Sequence, residues 1–269
     1  FSFKVKNVKT DEEKGTGTAK TAITTIDAYS LAKDYSLVLL KKQIELDASP
    51  QEVEFSLNDS CLLLKELLEE KDYDMETSEA DISLEKEGDT WKVVHTAELD
   101  SLLTGNFASY MSGAQLLSPS EIVDAHFGTI KDFDSEQLKI YLSLDHLVET
   151  DDSYNNSLSM AIAQQIDKAF DYEITEEEQE GSTAAVQVSV TSPDFESILT
   201  SYKERLTQWL KTSESLSAGA QGRREKEREL LLSCIEDNET VTSKNIAVTL
   251  YNDGINWKIQ MDSNIAEAV

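Results

Sequence analysis

Glu87-Gly88-Asp89-Thr90-Trp91-Lys92-Val93-Val94 returns later in the chain as Asp253-Gly254-Ile255-Asn256-Trp257-Lys258-Ile259-Gln260. The spacing is 166 residues (253 less 87). Alternating apolar residues on both sides of a glycine read as a β-hairpin. In the first copy Ile82 and Leu84 pair across Gly88 with Trp91, Val93 and His95; in the second, Val248 and Leu250 pair across Gly254 with Trp257, Ile259 and Met261. Two copies of one small domain, each closing on this hairpin, account for the recurrence better than one large domain does.

The same order can be followed upstream of both hairpins. Phe1, Phe3 and Val5 alternate before the acidic turn Asp11–Gly15 and a second alternating run, Ala19–Thr25. Phe170, Tyr172 and Ile174 do so before a turn placed at Glu176–Gly181, and Val186, Val188 and Val190 follow on one face. Helical spacing then takes over in each copy. Ala28, Leu31, Ala32, Tyr35 and Leu39 line one helix; Phe195, Ile198, Leu199, Tyr202 and Leu206 line its counterpart, which starts after Pro193-Asp194. A break follows, at Asp47-Ala48-Ser49-Pro50 in one copy and over Ser213–Gly222 in the other, and then a second helix ending near Glu70 and Glu236.

Only the second copy is preceded by further helical patterning. Ser118-Pro119-Ser120-Glu121 is a helix start, and Ile122, Val123, Phe127, Ile130 and Phe133 form the apolar face behind it. A second helical segment runs from about Ser157 to Phe170. The expected organisation is therefore a first repeat over 1–106 that is incomplete at its N-terminus, a linker over 107–117, and a complete repeat over 118–269. The fold class is α+β.

Composition excludes several functions. The 269 residues carry 52 Asp and Glu against 24 Lys and Arg, a net charge of −28. Such a field repels phosphate backbones, so nucleic acid is not an expected partner, and it disfavours anionic membrane surfaces. No apolar run approaches the roughly 18 residues that span a bilayer. The two cysteines, Cys61 and Cys234, fall on apolar stripes and read as buried free thiols, with a disulfide between the copies as the alternative.

Helices, hairpin, long helix, shorter helix and a closing hairpin with Gly-x-x-Trp-Lys-Val/Ile on its last strand: this order resembles the nuclear transport factor 2-like fold. That resemblance implies two tandem cone-like domains, each a curved antiparallel sheet packed on helices, the first lacking its N-terminal helices. Tandem domains of this kind are also similar to the cell-surface lipoproteins of Gram-positive gut bacteria. That second resemblance implies an extracytoplasmic location, a lipid anchor upstream, and a non-catalytic binding or scaffold role toward an unknown ligand or surface protein.

Enzymes of the same family place polar groups inside the cone, which makes an isomerase- or dehydratase-type enzyme, or a small-molecule binder, the alternative. His126 shares a stripe with Ile122 and Ile130 and is aimed inward, where burial and a neighbouring carboxylate or tyrosine would tune a general base. If a ligand is held, His126, Tyr172 and Trp257 are the candidate contacts. The bland reading makes His126 a hydrogen-bonded core residue and Trp91 and Trp257 anchors of the sheet. His95 alternates with Trp91 and reads as packing, because its counterpart is Met261. His146 lies among Asp145, Glu149, Asp151 and Asp152, a cluster without calcium-loop spacing. Arg223, Arg224, Lys226 and Arg228 read as a solvated helix face among glutamates. No phosphate loop, nucleophile elbow or His-Glu-x-x-His motif is present, so no catalytic residue, cofactor or metal is expected.

Residues upstream of Phe1 are expected to encode helices equivalent to 118–169, led by a secretion signal. The full reading frame tests this, and a coding sequence that starts at Phe1 would refute it.

Overall fold

In the computed structural model, residues 1–51, 53–113, 115–144 and 153–260 are described. The described chain is α+β, with two four-stranded antiparallel sheets ordered β1-β2-β3-β4 and β5-β6-β7-β8. The first sheet comprises β1 (Ser2–Asp11), β2 (Thr16–Ile26), β3 (Met75–Glu87) and β4 (Thr90–Val93), with α1 (Ala28–Asp47) and α2 (Leu57–Glu70) between β2 and β3. After β4 come α3 (Ala97–Leu103) and α4 (Phe107–Gly113), then α5 (Pro119–Lys131), α6 (Ser135–Tyr141) and α7 (Ser153–Ala169). The second sheet comprises β5 (Asp171–Glu180), β6 (Thr183–Pro193), β7 (Val241–Asn252) and β8 (Trp257–Ile259), with α8 (Phe195–Leu210), α9 (Ser213–Ser217) and α10 (Gly219–Glu236) between β6 and β7. Phe1–Leu39, Phe55–Ser118 and Asp253–Asn256 form one compact unit; Leu40–Glu54, Pro119–Asn252 and the chain from Trp257 form the other.

The two sheets share their strand order and most of their register, the first closing hairpin having one more rung than the second. The register shifts between Val5 and Asn7 in β1, and between Ile174 and Glu176 in β5. A β-bulge at the same place in both edge strands is a shared built-in bend. Asp27 N–H donates to Asp74 O at 2.8 Å, and Asp194 N–H to Thr240 O at 3.0 Å, tying each long helix to its sheet at the same point. The same two aspartates cap those helices: Asp27 Oδ1 accepts from Ser30 N–H, and Asp194 Oδ1 from Ser197 N–H, both at 3.0 Å. Trp91 opposes Lys86 and Trp257 opposes Asn252, equivalent rungs of the closing hairpins.

The covers differ. In the second unit α5 lies against β5, β6 and β8, while α7 packs on β6 and α10. Val186, Val190, Val248 and Leu250 are fully buried beneath them. In the first unit α3 reaches β2 and β3, and α4 runs beside α1, where Tyr29 meets Tyr110 at 5.5 Å and Tyr35 meets Phe107 at 6.1 Å. Its sheet stays largely open, with Phe1 and Phe3 67% and 64% exposed.

Several expectations need correction. Glu176–Glu180 is strand rather than turn: β5 runs on to pair Glu180 with Thr183, and the reversal falls at Gly181, whose φ of 61° suits glycine. Ser213–Gly222 is not loose throughout, because Thr212 caps α9 and the break narrows to Gly219 at φ 66°. Stretch 107–117 includes the helix α4. Cys61 is exposed, since α2 buries none of its residues; Cys234 is buried, and both thiols are free.

Helices α3 and α6 were not anticipated, although both carry start signals. Thr96 accepts from Leu99 N–H, and Asp134 forms a capping box with Gln137.

Leu250 and Leu84 oppose Ile259 and Val93 at equivalent positions, yet Leu250 is sealed and Leu84 only half-buried. Leu250→Ala is expected to cost about 2–5 kcal/mol, as for a core truncation. Leu84→Ala should cost clearly less. Denaturant unfolding of the two variants measures this, and equal losses would mean that the first sheet is as well covered as the second.

Candidate functional site

His126 stands on α5, a helix buried along most of its surface: Ile122, Val123, Ala125, Phe127, Thr129 and Ile130 are all buried with it. Pro119, in the first turn, suits that position because its missing N–H would have had no helical partner. The buried run continues past the helix through Phe133. His126 itself is 8% exposed. Its Nε2 lies 3.1 Å from the hydroxyl of Tyr141, at the end of α6, and its ring meets that of Phe127 edge-on.

Burial drives the chemistry of this pair. It pushes the imidazole down from 6.5 to about 4, against a smaller opposing pull from the Asp47 carboxylate. It pushes the Tyr141 phenol up to about 12, with Asp47 adding to the rise. At neutral pH both groups are therefore uncharged, and they share one hydrogen bond whose donor is set by the imidazole tautomer. A general base serves best with a pKa near the working pH and within reach of a substrate proton. His126 is buried, lies below that range, and has Tyr141 as its hydrogen-bond partner at Nε2.

Tyr172 does different work. Its hydroxyl donates to Asp124 Oδ1 at 2.8 Å and lies 3.1 Å from Asp124 O. Its ring packs 5.6 Å from Phe127, which also stacks on Phe170 at 6.3 Å. Gly128 leaves space for this contact, since a Cβ there would stand 3.0 Å from the Tyr172 hydroxyl. Tyr172 thus pins α5 to β5. Burial and the Asp124 carboxylate push its phenol well above the ordinary range. Trp257 is buried in β8. Of the three candidate contacts, His126 is joined to Tyr141 and Tyr172 to Asp124, each in its own hydrogen bond.

The remaining candidates are quickly placed. β4 ends at Val93, so His95 lies beyond the strand, with its side chain 79% exposed and Nε2 2.9 Å from Asp100 Oδ1. The expected packing role is corrected: the strand is too short to carry His95 into the sheet. Met261 and the cluster of Asp145, His146, Glu149, Asp151 and Asp152 lie outside the described residues. Among the described residues no group of three or more His, Cys, Asp or Glu could hold a metal ion. No described helix is long and apolar enough to cross a membrane. Arg228 lies 4.6 Å over the Tyr154 ring, so one member of the basic island is drawn into packing.

The first unit holds two open spaces. A groove of about 410 Å³ runs over the first sheet, lined by Phe1, Phe3, Val5, Ile82, Val93 and Leu103 among others, its walls almost wholly apolar. A second hollow of about 540 Å³, with mixed polar and apolar walls, lies where Lys9, Asp11, Thr16, Leu84, Glu85 and Val94 meet. Neither was singled out from the sequence. The signal for the groove was there: the apolar alternation of Phe1, Phe3 and Val5 leading into β1.

The His126 geometry makes stability depend on pH. Unfolded, the imidazole protonates near 6.5; folded, only near 4. Its contribution is complete above pH 6.5, falls by about 1.4 kcal/mol per pH unit below that, and has lost about 3 kcal/mol at pH 4. The stability difference between wild type and His126→Gln should shrink over that window. A difference that is flat with pH would rule out the buried neutral imidazole. Tyr172→Phe should cost about 1–2 kcal/mol through the unpaired Asp124 contact, measured by denaturant unfolding, and no loss would mean that water replaces it.

No family model matches the chain, and no curated protein matches it. Among solved structures it is similar to YcdA of Bacillus subtilis subsp. subtilis, a candidate lipoprotein, at 13% identity over 99% of this chain and 95% of that one, with a TM-score of 0.35.

Proposed function

We propose that this chain is a non-catalytic binding or scaffold protein that works outside the cytoplasm as a cell-surface lipoprotein, and that its repeats over 1–106 and 118–269 are nuclear transport factor 2-like domains. One observation carries the non-catalytic reading. Phe127, Ile130, Phe133 and Phe170 are all buried in the second repeat, and His126, buried with them, is hydrogen-bonded to Tyr141. The order hairpin, long helix, shorter helix, hairpin supports the fold assignment, and the family resemblance of that order supports the location and the lipid anchor. An acidic surface of net charge −28 suits a solvated surface protein. The ligand or surface partner is not named by any group on the molecule.

The enzyme reading has one point in its favour, the His126–Tyr141 hydrogen bond beside the field of Asp47. Burial weighs against it.

Diethylpyrocarbonate separates the two readings, because it acylates only imidazoles that it can reach. Peptide mapping of the native protein should show His95 modified at least about tenfold faster than His126, which reacts only when the structure opens locally. Equal rates would mean that the second repeat is open and would favour the enzyme. For location, protease added to intact source cells should digest the protein; protection until lysis would overturn the surface assignment.

A further inference from the structure

β1 and β5 each stand at the end of their sheet, hydrogen-bonded to one neighbour only. Their outer rows of N–H and C=O groups meet no other strand among the described residues. Residues 2–10 are all exposed, and so are 175–180. A free edge of this length is a template for a further strand.

Charge tells the two edges apart. The matching bulges set Lys4 level with Glu173, and Lys9 level with Glu178: Lys4 opposes Ala22 as Glu173 opposes Ser189, and Lys9 opposes Thr18 as Glu178 opposes Ala185. From residue 2 to residue 10, β1 holds Lys4, Lys6 and Lys9 and no carboxylate. β5 holds Asp171, Glu173, Glu176, Glu177, Glu178 and Glu180 and no basic residue. In a chain of 52 acidic against 24 basic residues, an edge strand charged only by lysine runs against the general balance. Nor are these charges all used locally. Lys6 pairs with Glu79, but Lys4 and Lys9 form no ion pair among the described residues. In β5, Asp171 is taken by Lys131 and Glu177 accepts from Ser120 N–H, while Glu173, Glu176, Glu178 and Glu180 face solvent.

Like charges set opposite one another across a strand pair are destabilising. The lysines therefore oppose pairing of β1 with a second β1, and the carboxylates oppose pairing of β5 with a second β5. One combination brings opposite signs together. We propose that β1 of one copy of this chain pairs antiparallel with β5 of another, joining the first sheet of one molecule to the second sheet of the next. The strands run antiparallel because every pair in both sheets does, and antiparallel ladders are slightly the more stable kind. The register that sets Lys4 against Glu178 also sets Lys9 against Glu173, with Lys6 against Glu176 between them. It also sets Val8 against Ile174 on the other face. The two bulges then fall side by side, so the residue count on each side of them stays matched. One strand edge makes a small interface, of the kind found in weak associations. Such a contact becomes effective where copies are held close together, as on a cell surface. The pairing itself does not depend on that location, nor on whether the second repeat is catalytic.

Sedimentation velocity of chain 1–269 from about 10 μM to about 1 mM, a range suited to a weak interface, tests the pairing. The average mass should rise with concentration at low salt, and about 0.5 M salt should weaken association at least about tenfold. Lys4→Glu with Lys9→Glu should weaken it by a similar factor. So should Glu173→Lys with Glu178→Lys, although this pair makes the net charge less negative and would strengthen an association governed by net charge alone. All four changes in one chain exchange the two signs and should restore association. Direction is read by disulfide formation in a Cys61→Ser background: Lys4→Cys and Glu178→Cys proteins should cross-link when mixed, and neither should do so alone. A chain that stays monomeric throughout, association untouched by either reversal, or a fourfold variant that fails to associate while folded by circular dichroism would each overturn the proposal. Cross-linking of the Lys4→Cys protein to itself, or to Glu173→Cys in preference to Glu178→Cys, would do the same.

Discussion

A four-stranded sheet buries little of itself, and the second repeat holds together because α5 covers one face of its sheet. Val186, Val188, Val190, Val248 and Leu250 alternate along β6 and β7 and are buried, with α5 and α7 both packed on β6. At about 1.5–3 kcal/mol for each fully buried aliphatic side chain, these five contribute on the order of 10 kcal/mol, as much as the net stability of a typical domain. Everything polar nearby is arranged around this burial. Tyr172 reaches Asp124 from within an aromatic stack, and Tyr141 satisfies the one imidazole that α5 carries into the core.

The first unit shares the sheet order and ties of the second under a different cover. The bulge, the helix-capping aspartates and the tie from helix to sheet all recur, because backbone hydrogen bonds and caps set them locally. Burial does not recur. The first sheet has most of the same apolar positions, with Thr21 where the second has Val188, but leaves Phe1, Phe3, Val5 and Val93 about half exposed or more.

Charge acts on a different scale. Lys131 pairs with Asp171 at 2.6 Å and Arg205 with Asp237 at 2.9 Å, both at exposed positions where such pairs add at most about 1 kcal/mol. The excess of carboxylates is spread along edges such as Glu176–Glu178 and Glu180 of β5, all exposed. Like charges there discourage edge-to-edge strand pairing and repel anionic partners.

The doubled Gly-x-x-Trp-Lys motif, the period-two runs and the helix starts at Ser118-Pro119 and Pro193-Asp194 were legible because each depends on neighbours within a few residues. From them the sequence by itself determined two sheets, their strand order along the chain, and the inward face of α5 with His126 on it. Short helices such as α3 and α6 were legible in principle through Thr96 and Asp134, but were hidden by their length. Only tertiary structure decided the rest. Whether Cys61 or Cys234 is buried depends on what packs over each stripe, and α2 buries nothing where α10 buries Cys234 and Ile235. Whether His126 is a base or a core residue depends on Tyr141 arriving from another helix. Whether Phe3 is core or surface depends on what packs over β1, and it is 64% exposed. Each of these turns on which distant surfaces meet, and local periodicity carries no information about that.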